Sequence, residues 1–253
     1  MLLLTLGLGS FTACEENNGD DDPINVGIGD CNVTNSIRDM YEEDAIRLAV
    51  RLQQAAGIND IQIPSNLIDR TLGALAAVYR SEYIARDSVT SVYDIHTLNA
   101  PSYNTLTVEV STDTTAYPWI AQWMDGNRLT GNDTVDQLMN IYGLDRTNFI
   151  TLSTGSAAII ESDTPINMAG LAAAFENISG VVLADFEDNA GDGNDIQIVD
   201  HGTYMEVIYS LGYDSPFEVN TCLSDCVYRR SWMFNVFDDC SAAYVGVEGD
   251  PAP

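Results

Sequence analysis

Near residue 180 the spacing of apolar residues changes from helical to alternating. That switch restricts the chain to folds in which helices and an antiparallel sheet are built from separate stretches of sequence. Upstream, Ser36-Ile37-Arg38-Asp39 approximates a capping box, and Ile37, Tyr41, Ala45, Leu48 and Leu52 keep helical spacing up to Gly57. Glu43 and Arg47 stand four residues apart on the opposite face, a spacing that supports an isolated helix. A second helix is predicted after Pro64 with Ser65 as its cap, carrying a stripe of Ile68, Leu72, Leu75, Ala76 and Tyr79. The two are expected to pack as a hairpin.

A strand is predicted at 105–110, where Leu106, Val108 and Val110 alternate with polar residues. Asn132 is placed to cap a short helix through Val135, Leu138, Met139 and Tyr142 that ends at Gly143. A further helix runs from Pro165 through Met168, Leu171, Ala172 and Phe175 toward Gly180. Beyond it, 181–186, 195–200, 203–211 and 227–237 read as strands, with His201-Gly202 as a tight turn. In the last of these Tyr228, Arg230, Trp232, Phe234 and Val236 share one face. The expected fold is α+β, an N-terminal helical hairpin packed on a C-terminal antiparallel sheet, with 31–253 as a single globular domain. Hydrophobic residues make up 45% of the chain and charged ones 19%, enough apolar surface to bury a core.

The first eleven residues, MLLLTLGLGSF, form an apolar run about half the ~20 residues a membrane-spanning helix needs, so 1–13 reads as a signal peptide. It lacks a basic leading segment, consistent with a start upstream of Met1. Phe11-Thr12-Ala13-Cys14 resembles the lipobox of bacterial lipoproteins, with Phe where Leu is usual. The resemblance implies a Cys14 that is diacylated and becomes the first mature residue, anchoring the chain to outer-membrane lipid. Glu15-Glu16-Asn17-Asn18-Gly19-Asp20-Asp21-Asp22 follows, and it resembles the acidic export signal of Gram-negative surface lipoproteins. The bland alternative for this run is a solvated linker. Residues 14–30 have no apolar period and read as an acidic tether, reaching about 20–25 Å as a flexible coil.

Setting Cys14 aside leaves Cys31, Cys222, Cys226 and Cys240, an even number in the oxidising compartment that the lipobox implies. Three pairings are open to them, and the preferred one is the local loop Cys222–Cys226 with Cys31–Cys240. The long loop would contribute roughly 4–5 kcal/mol in the chain-entropy picture. The alternative is a zinc site built from Cys222, Cys226, Cys240 and His201. The segment Cys222-x3-Cys226, Arg229-Arg230, Trp232-Met233-Phe234-Asn235-Val236, Asp239-Cys240 resembles a signature of uncharacterised secreted and surface proteins of Gram-negative bacteria. It implies extracellular disulfides and a terminal β-hairpin, with no activity attached.

All ten cationic residues are arginine, against 38 carboxylates, for a net charge of -28. With no lysine, a Walker-type phosphate loop, a kinase strand lysine, a Schiff-base enzyme and an S-x-x-K acyltransferase are excluded. Nucleic acid is not an expected partner, since its binding needs clustered cations. His96 and His201 are the only histidines, which excludes an H-E-x-x-H zinc helix but leaves a Ser-His-Asp triad open. Ser153-Thr154-Gly155-Ser156 is only an echo of a nucleophile elbow. His96 could be held by Asp94, and His201 fits a turn.

Two ligand-binding candidates stand out. Asp188, Asp192 and Asp195, around Gly193, could offer several oxygens to calcium from one loop, although Ala190 and Val199 fall where an EF-hand needs carboxylates. The alternative is a Gly- and Asn-rich hairpin loop. Trp119 and Trp123, four residues apart, could form a stacking platform for a sugar, or face a core. Two functional readings follow: a lipid-anchored, surface-exposed, non-catalytic module that binds a glycan or an envelope protein, or a secreted hydrolase working through carboxylates or a serine.

Overall fold

The computed structural model describes residues 31–98, 100–151, 155–188, 193–215, 218–222 and 226–251. Helix α1 (Asn35–Ala55) begins one residue before the predicted box, because Thr34 is the cap and its hydroxyl accepts from the Ile37 amide at 3.4 Å. It ends in a left-handed Gly57 (φ 70°). There the Ile58 and Gly57 amides donate to the Gln53 and Gln54 carbonyls at 2.9 and 3.0 Å, closing orphan acceptors in a Schellman arrangement. Helix α2 (Ser65–Arg80) follows, then a single helical turn, α3 (Ile84–Asp87), running into a π-helical turn at Ser88–Val92.

The chain continues with β1 (Thr105–Val110), α4 (Pro118–Met124), α5 (Asp133–Ile141), β2 (Leu144–Thr151), β3 (Ser156–Ser162), α6 (Met168–Glu176) and β4 (Val181–Asp185). It closes with β5 (Asp195–Asp200), β6 (Tyr204–Ser215), β7 (Glu218–Thr221), β8 (Tyr228–Phe237) and β9 (Ala242–Gly249). The fold is α+β, but it has two antiparallel sheets where one was expected. The first is ordered β2-β3-β1-β4; the second is β5-β6-β8-β9, with β7 on β6.

Each sheet has its own core. In one, Ile37, Tyr41 and Leu48 of α1 and Leu72 and Leu75 of α2 pack on Val207, Tyr209 and Leu211 of β6 and on Trp232, Phe234 and Val236 of β8. This is the expected hairpin on the expected sheet. In the other, Leu106, Val108 and Val110 of β1 and Ile160 of β3 are covered by Trp123 of α4, Met139 of α5 and Phe175 of α6. Each large side chain so enclosed stabilises the fold by about 1.5–3 kcal/mol.

The loop after α1 joins the two cores. Ile61 packs on the second and Ile63 on the first. Gln62 bridges Ile166, and the Asn167 amide donates to the Ile61 carbonyl at 2.8 Å. Gly170 of α6 lies so close to the Asn59 carbonyl that a Cβ there would overlap it. Only glycine lets helix and loop approach this closely.

The disulfides are Cys31–Cys240, spanning 209 residues, and Cys222–Cys226, as expected. The first ties the start of α1 to the turn between β8 and β9. All three thiols of the alternative zinc set, Cys222, Cys226 and Cys240, are therefore consumed, which overturns that reading. Among the described residues no helix is long and apolar enough to cross a membrane.

Candidate functional site

Helix α1 is buried almost all round from Asp44 to Val50, as a helix lying between two layers must be. Its polar residues Asp44, Arg47 and Arg51 follow at i, i+3 and i+7, so they make one stripe. Residues 94–98 and 100–104 cross that stripe and are pinned by it. Arg51 donates through Nη1 to both Asp195 oxygens at 3.0 Å and to the Ile196 carbonyl at 2.7 Å, and through Nη2 to the Ala100 carbonyl at 2.6 Å. Arg47 lies over the Tyr103 ring, 5.1 Å from its centroid.

Asp44, 3% exposed, is the most enclosed member. Its Oδ1 accepts from the Thr97 amide and hydroxyl, both at 2.7 Å, and its Oδ2 accepts from His96 Nδ1 at 2.6 Å. The opposite nitrogen, Nε2, is 3.4 Å from Asp94 Oδ1. The Asp44 hydrogen bond raises the His96 pKa, burial opposes it, and the charges of Asp44 and Asp94 add to the rise. Tyr41, whose ring centre is 5.5 Å from that of His96, has its hydroxyl pKa pushed upward by burial and by Asp44. A buried carboxylate orienting an imidazole is half of a catalytic triad. Here the second nitrogen meets another carboxylate where a nucleophile would have to stand. Both ring nitrogens of His96 are thus engaged by carboxylates, which favours the protonated ring and leaves neither nitrogen facing a nucleophile.

His201 occupies the predicted turn: its amide donates to the Tyr204 carbonyl at 3.0 Å, and Gly202 supplies φ 81°. Its ring stacks on Tyr204 at 4.6 Å, with Nε2 3.3 Å from Glu206.

The two indoles do not form a platform. Trp119 is 7% exposed and Trp123 fully enclosed; they meet edge to face at 5.2 Å, and Trp119 Nε1 donates to the Ser179 carbonyl at 3.1 Å. Four-residue spacing put them on the inner face of α4, so the sugar-stacking reading is corrected to core packing.

Of the calcium candidates, Asp188 is exposed after β4 and Asp192 lies outside the described residues. Asp195 is buried and holds Arg51, and its Oδ1 also accepts from the Leu98 amide at 3.1 Å. That carboxylate is an internal anchor rather than a loop ligand. Among the described residues no cluster of three His, Cys, Asp or Glu is positioned for a metal. Ser153 and Thr154 lie outside the described residues, and Ser156 is buried in β3.

Two hollows open where the cores meet, a usual place for ligand sites. The larger, about 940 Å³, is bordered by Gln62, Ser65, Asn140, Tyr142 and Thr164. The other, about 560 Å³, lies between α1 and the open face of the first sheet. Its walls carry Glu43, Arg47, Tyr103, Asn104, Asp185 and Glu187. Thr107 and Asp185 are cross-strand partners on β1 and β4, so they present one polar row to it. The Arg47 side chain is only 10% exposed whereas Glu43 is 73% exposed, with Glu43 Oε2 3.4 Å from both Nη atoms. Burial and the Glu43 charge raise the Tyr103 pKa against the pull of Arg47. The Glu43/Arg47 spacing marks this wall in the sequence, but nothing there shows that Tyr103 and Asp185 complete it.

Comparison with family models, with curated proteins and with solved structures returns no match to this chain.

Proposed function

We propose that this chain is an outer-membrane lipoprotein, held by an acylated Cys14 and facing the medium, whose folded body works by binding rather than by catalysis. The observation that carries the second half is His96, closed by a carboxylate on each ring nitrogen and so unsuited to act as a general base. The first half rests on the lipobox-like Phe11-Thr12-Ala13-Cys14 and the acidic run behind it. The described body suits an anchored protein: it begins at Cys31, which is bonded to Cys240, so a tether of residues 14–30 would join it at a covalent cross-link. Tension on the anchor would pass into a covalent bond before it reached the end of α1. An acyl chain holds by burying methylenes at about 0.8 kcal/mol each, and a surface of net charge -28 stays soluble and repels anionic headgroups.

Mass spectrometry of the N-terminal peptide from the native host tests the anchor. A diacylglyceryl-modified Cys14 as first residue is expected; an unmodified Cys14 in the mature chain sinks the assignment. Digestion of intact cells with an added protease is expected to release the folded body, and full protection would place it on the inner side of the membrane.

A further inference from the structure

The 560 Å³ cleft has the composition of a site for a hydroxyl-rich ligand. Three carboxylates, Glu43, Asp185 and Glu187, face one guanidinium, Arg47, so the walls repel an anion. Arg47 is buried on the α1 side and stacked on Tyr103, which places a fixed positive charge where a polycation would have to settle. What the walls offer besides charge is a dense set of short polar groups: the Ser102, Thr105 and Thr107 hydroxyls and the Asn104 amide, beside the rings of Tyr103 and Phe186. Carboxylate and amide groups present two polar atoms in a plane, the spacing that meets two neighbouring hydroxyls at once. The Thr107 hydroxyl both donates and accepts, as the ligand's own do, while those of Ser102 and Thr105 donate to the Thr105 carbonyl and to Asn104 Oδ1, each at 3.2 Å, and offer lone pairs. Aromatic rings cover the apolar C–H faces that a pyranose keeps between its hydroxyls.

The mounting is rigid. Asp185 is in register opposite Thr107 on paired strands. Ser102 accepts from the Thr105 amide at 3.1 Å and, through its own amide, donates to the Glu187 carbonyl at 2.7 Å, tying the two walls together. The volume falls within the range of small-ligand sites.

The geometry points to a neutral oligosaccharide as the ligand of this cleft, bound through Asn104, Asp185, Glu187 and Arg47. This rests on the binding reading above and gives it a substrate class. The test uses the full chain in detergent micelles, with cellohexaose, maltohexaose and chitohexaose as neutral probes, and oligogalacturonate and pentalysine as charged ones, followed by saturation-transfer NMR and calorimetry.

At least one neutral hexasaccharide is expected to bind. Asn104→Ala and Asp185→Asn, both at exposed positions that leave the cores untouched, are expected to weaken it about tenfold each. Arg47→Met should weaken it further, while Ser65→Ala, in the separate hollow, should leave it unchanged. Binding by none of the neutral probes overturns the proposal, as does binding that survives both Asn104→Ala and Asp185→Asn, or a preference for pentalysine or oligogalacturonate. Chromatography of the recovered probe separates the two readings. A hexasaccharide that is bound and shortened keeps the site but removes the non-catalytic reading; no binding at all removes the site and leaves that reading standing.

Discussion

The two cores are closed in different ways. The second, built from 103–186, is nearly continuous in sequence: β1, β3 and β4 and the helices α4 to α6 that cover them follow one another within some eighty residues, a stretch with no cysteine. The first brings together the two ends of the described chain. Its closure depends on bonds between distant residues: Cys31–Cys240, Arg51 to Asp195 and Arg70 to Asp200 at 2.8 Å. Closing long loops is entropically costly, so cross-links should matter most there. The second core, made of local contacts, has less need of them.

The strongest way to break this contrast is to cut the long staple. Cys31→Ser with Cys240→Ser removes a bond whose chain-entropy contribution is about 5 kcal/mol for a loop of this length. Hydrogen exchange should show protection falling in α1, α2 and β5 to β9 well before β1, β3 and α6. Equal loss in both cores would mean that they unfold as one unit and that the contrast is only geometric.

The converse variant is Trp123→Ala, which empties the centre of the second core, where the indole packs against Trp119 and Phe175 at 5.2 and 6.2 Å. Truncations of this kind cost about 3–5 kcal/mol. Thermal melting should fall accordingly, with exchange rising first in β1, β3 and α6. A surface tryptophan would cost almost nothing, so a small effect would restore the idea of an exposed platform at α4.

How far these cores were legible in the sequence follows from the same contrast. Most of the first could be read, because the apolar residues Ile37, Tyr41, Ala45, Leu48 and Leu52 of α1 and Leu72, Leu75 and Ala76 of α2 keep helical spacing and β8 alternates. Half of the second could not. β3 is inner in its sheet and buried on both faces along Ser156, Ala157 and Ala158, so it has no alternation to detect. β2, at the edge of that sheet, is largely exposed and carries little apolar pattern of its own, as does β9 at the edge of the other sheet. The candidate cleft was visible only as the Glu43/Arg47 spacing, read as a helix-supporting pair on the face opposite the apolar stripe. Thr97, Ala100 and Tyr103 are held on that face by the stripe Asp44, Arg47 and Arg51, and such pairings across the chain leave no periodic trace. Asp195 was misread for the same reason: from sequence it belongs to an acidic loop, yet in space it belongs to Arg51.

The mildest probe is pH, because two contacts of the first unit, His96 with Asp44 and Asp200 with Arg70, hold a titrating group away from its ordinary value. His96 has a raised pKa in the folded state, held by Asp44 and Asp94, so its contribution is fully present below the unfolded value of about 6.5 and is lost as pH rises through the folded value. Asp200 runs the other way. Burial pushes its carboxyl up, but the Arg70 hydrogen bond, the Gly202 amide and nearby positive charge outweigh that and hold it below its ordinary 3.8. Its contribution is present above 3.8 and fades as pH falls through the lower folded value. Urea midpoints measured from pH 2 to 9 should therefore decline at both ends. His96→Gln should flatten the decline above pH 6.5, and Asp200→Asn should reduce the one in acid. Both groups fasten the first core, so exchange in the second should hardly respond to either variant. A pH dependence shared equally by the two would show that the state of His96 is transmitted to both.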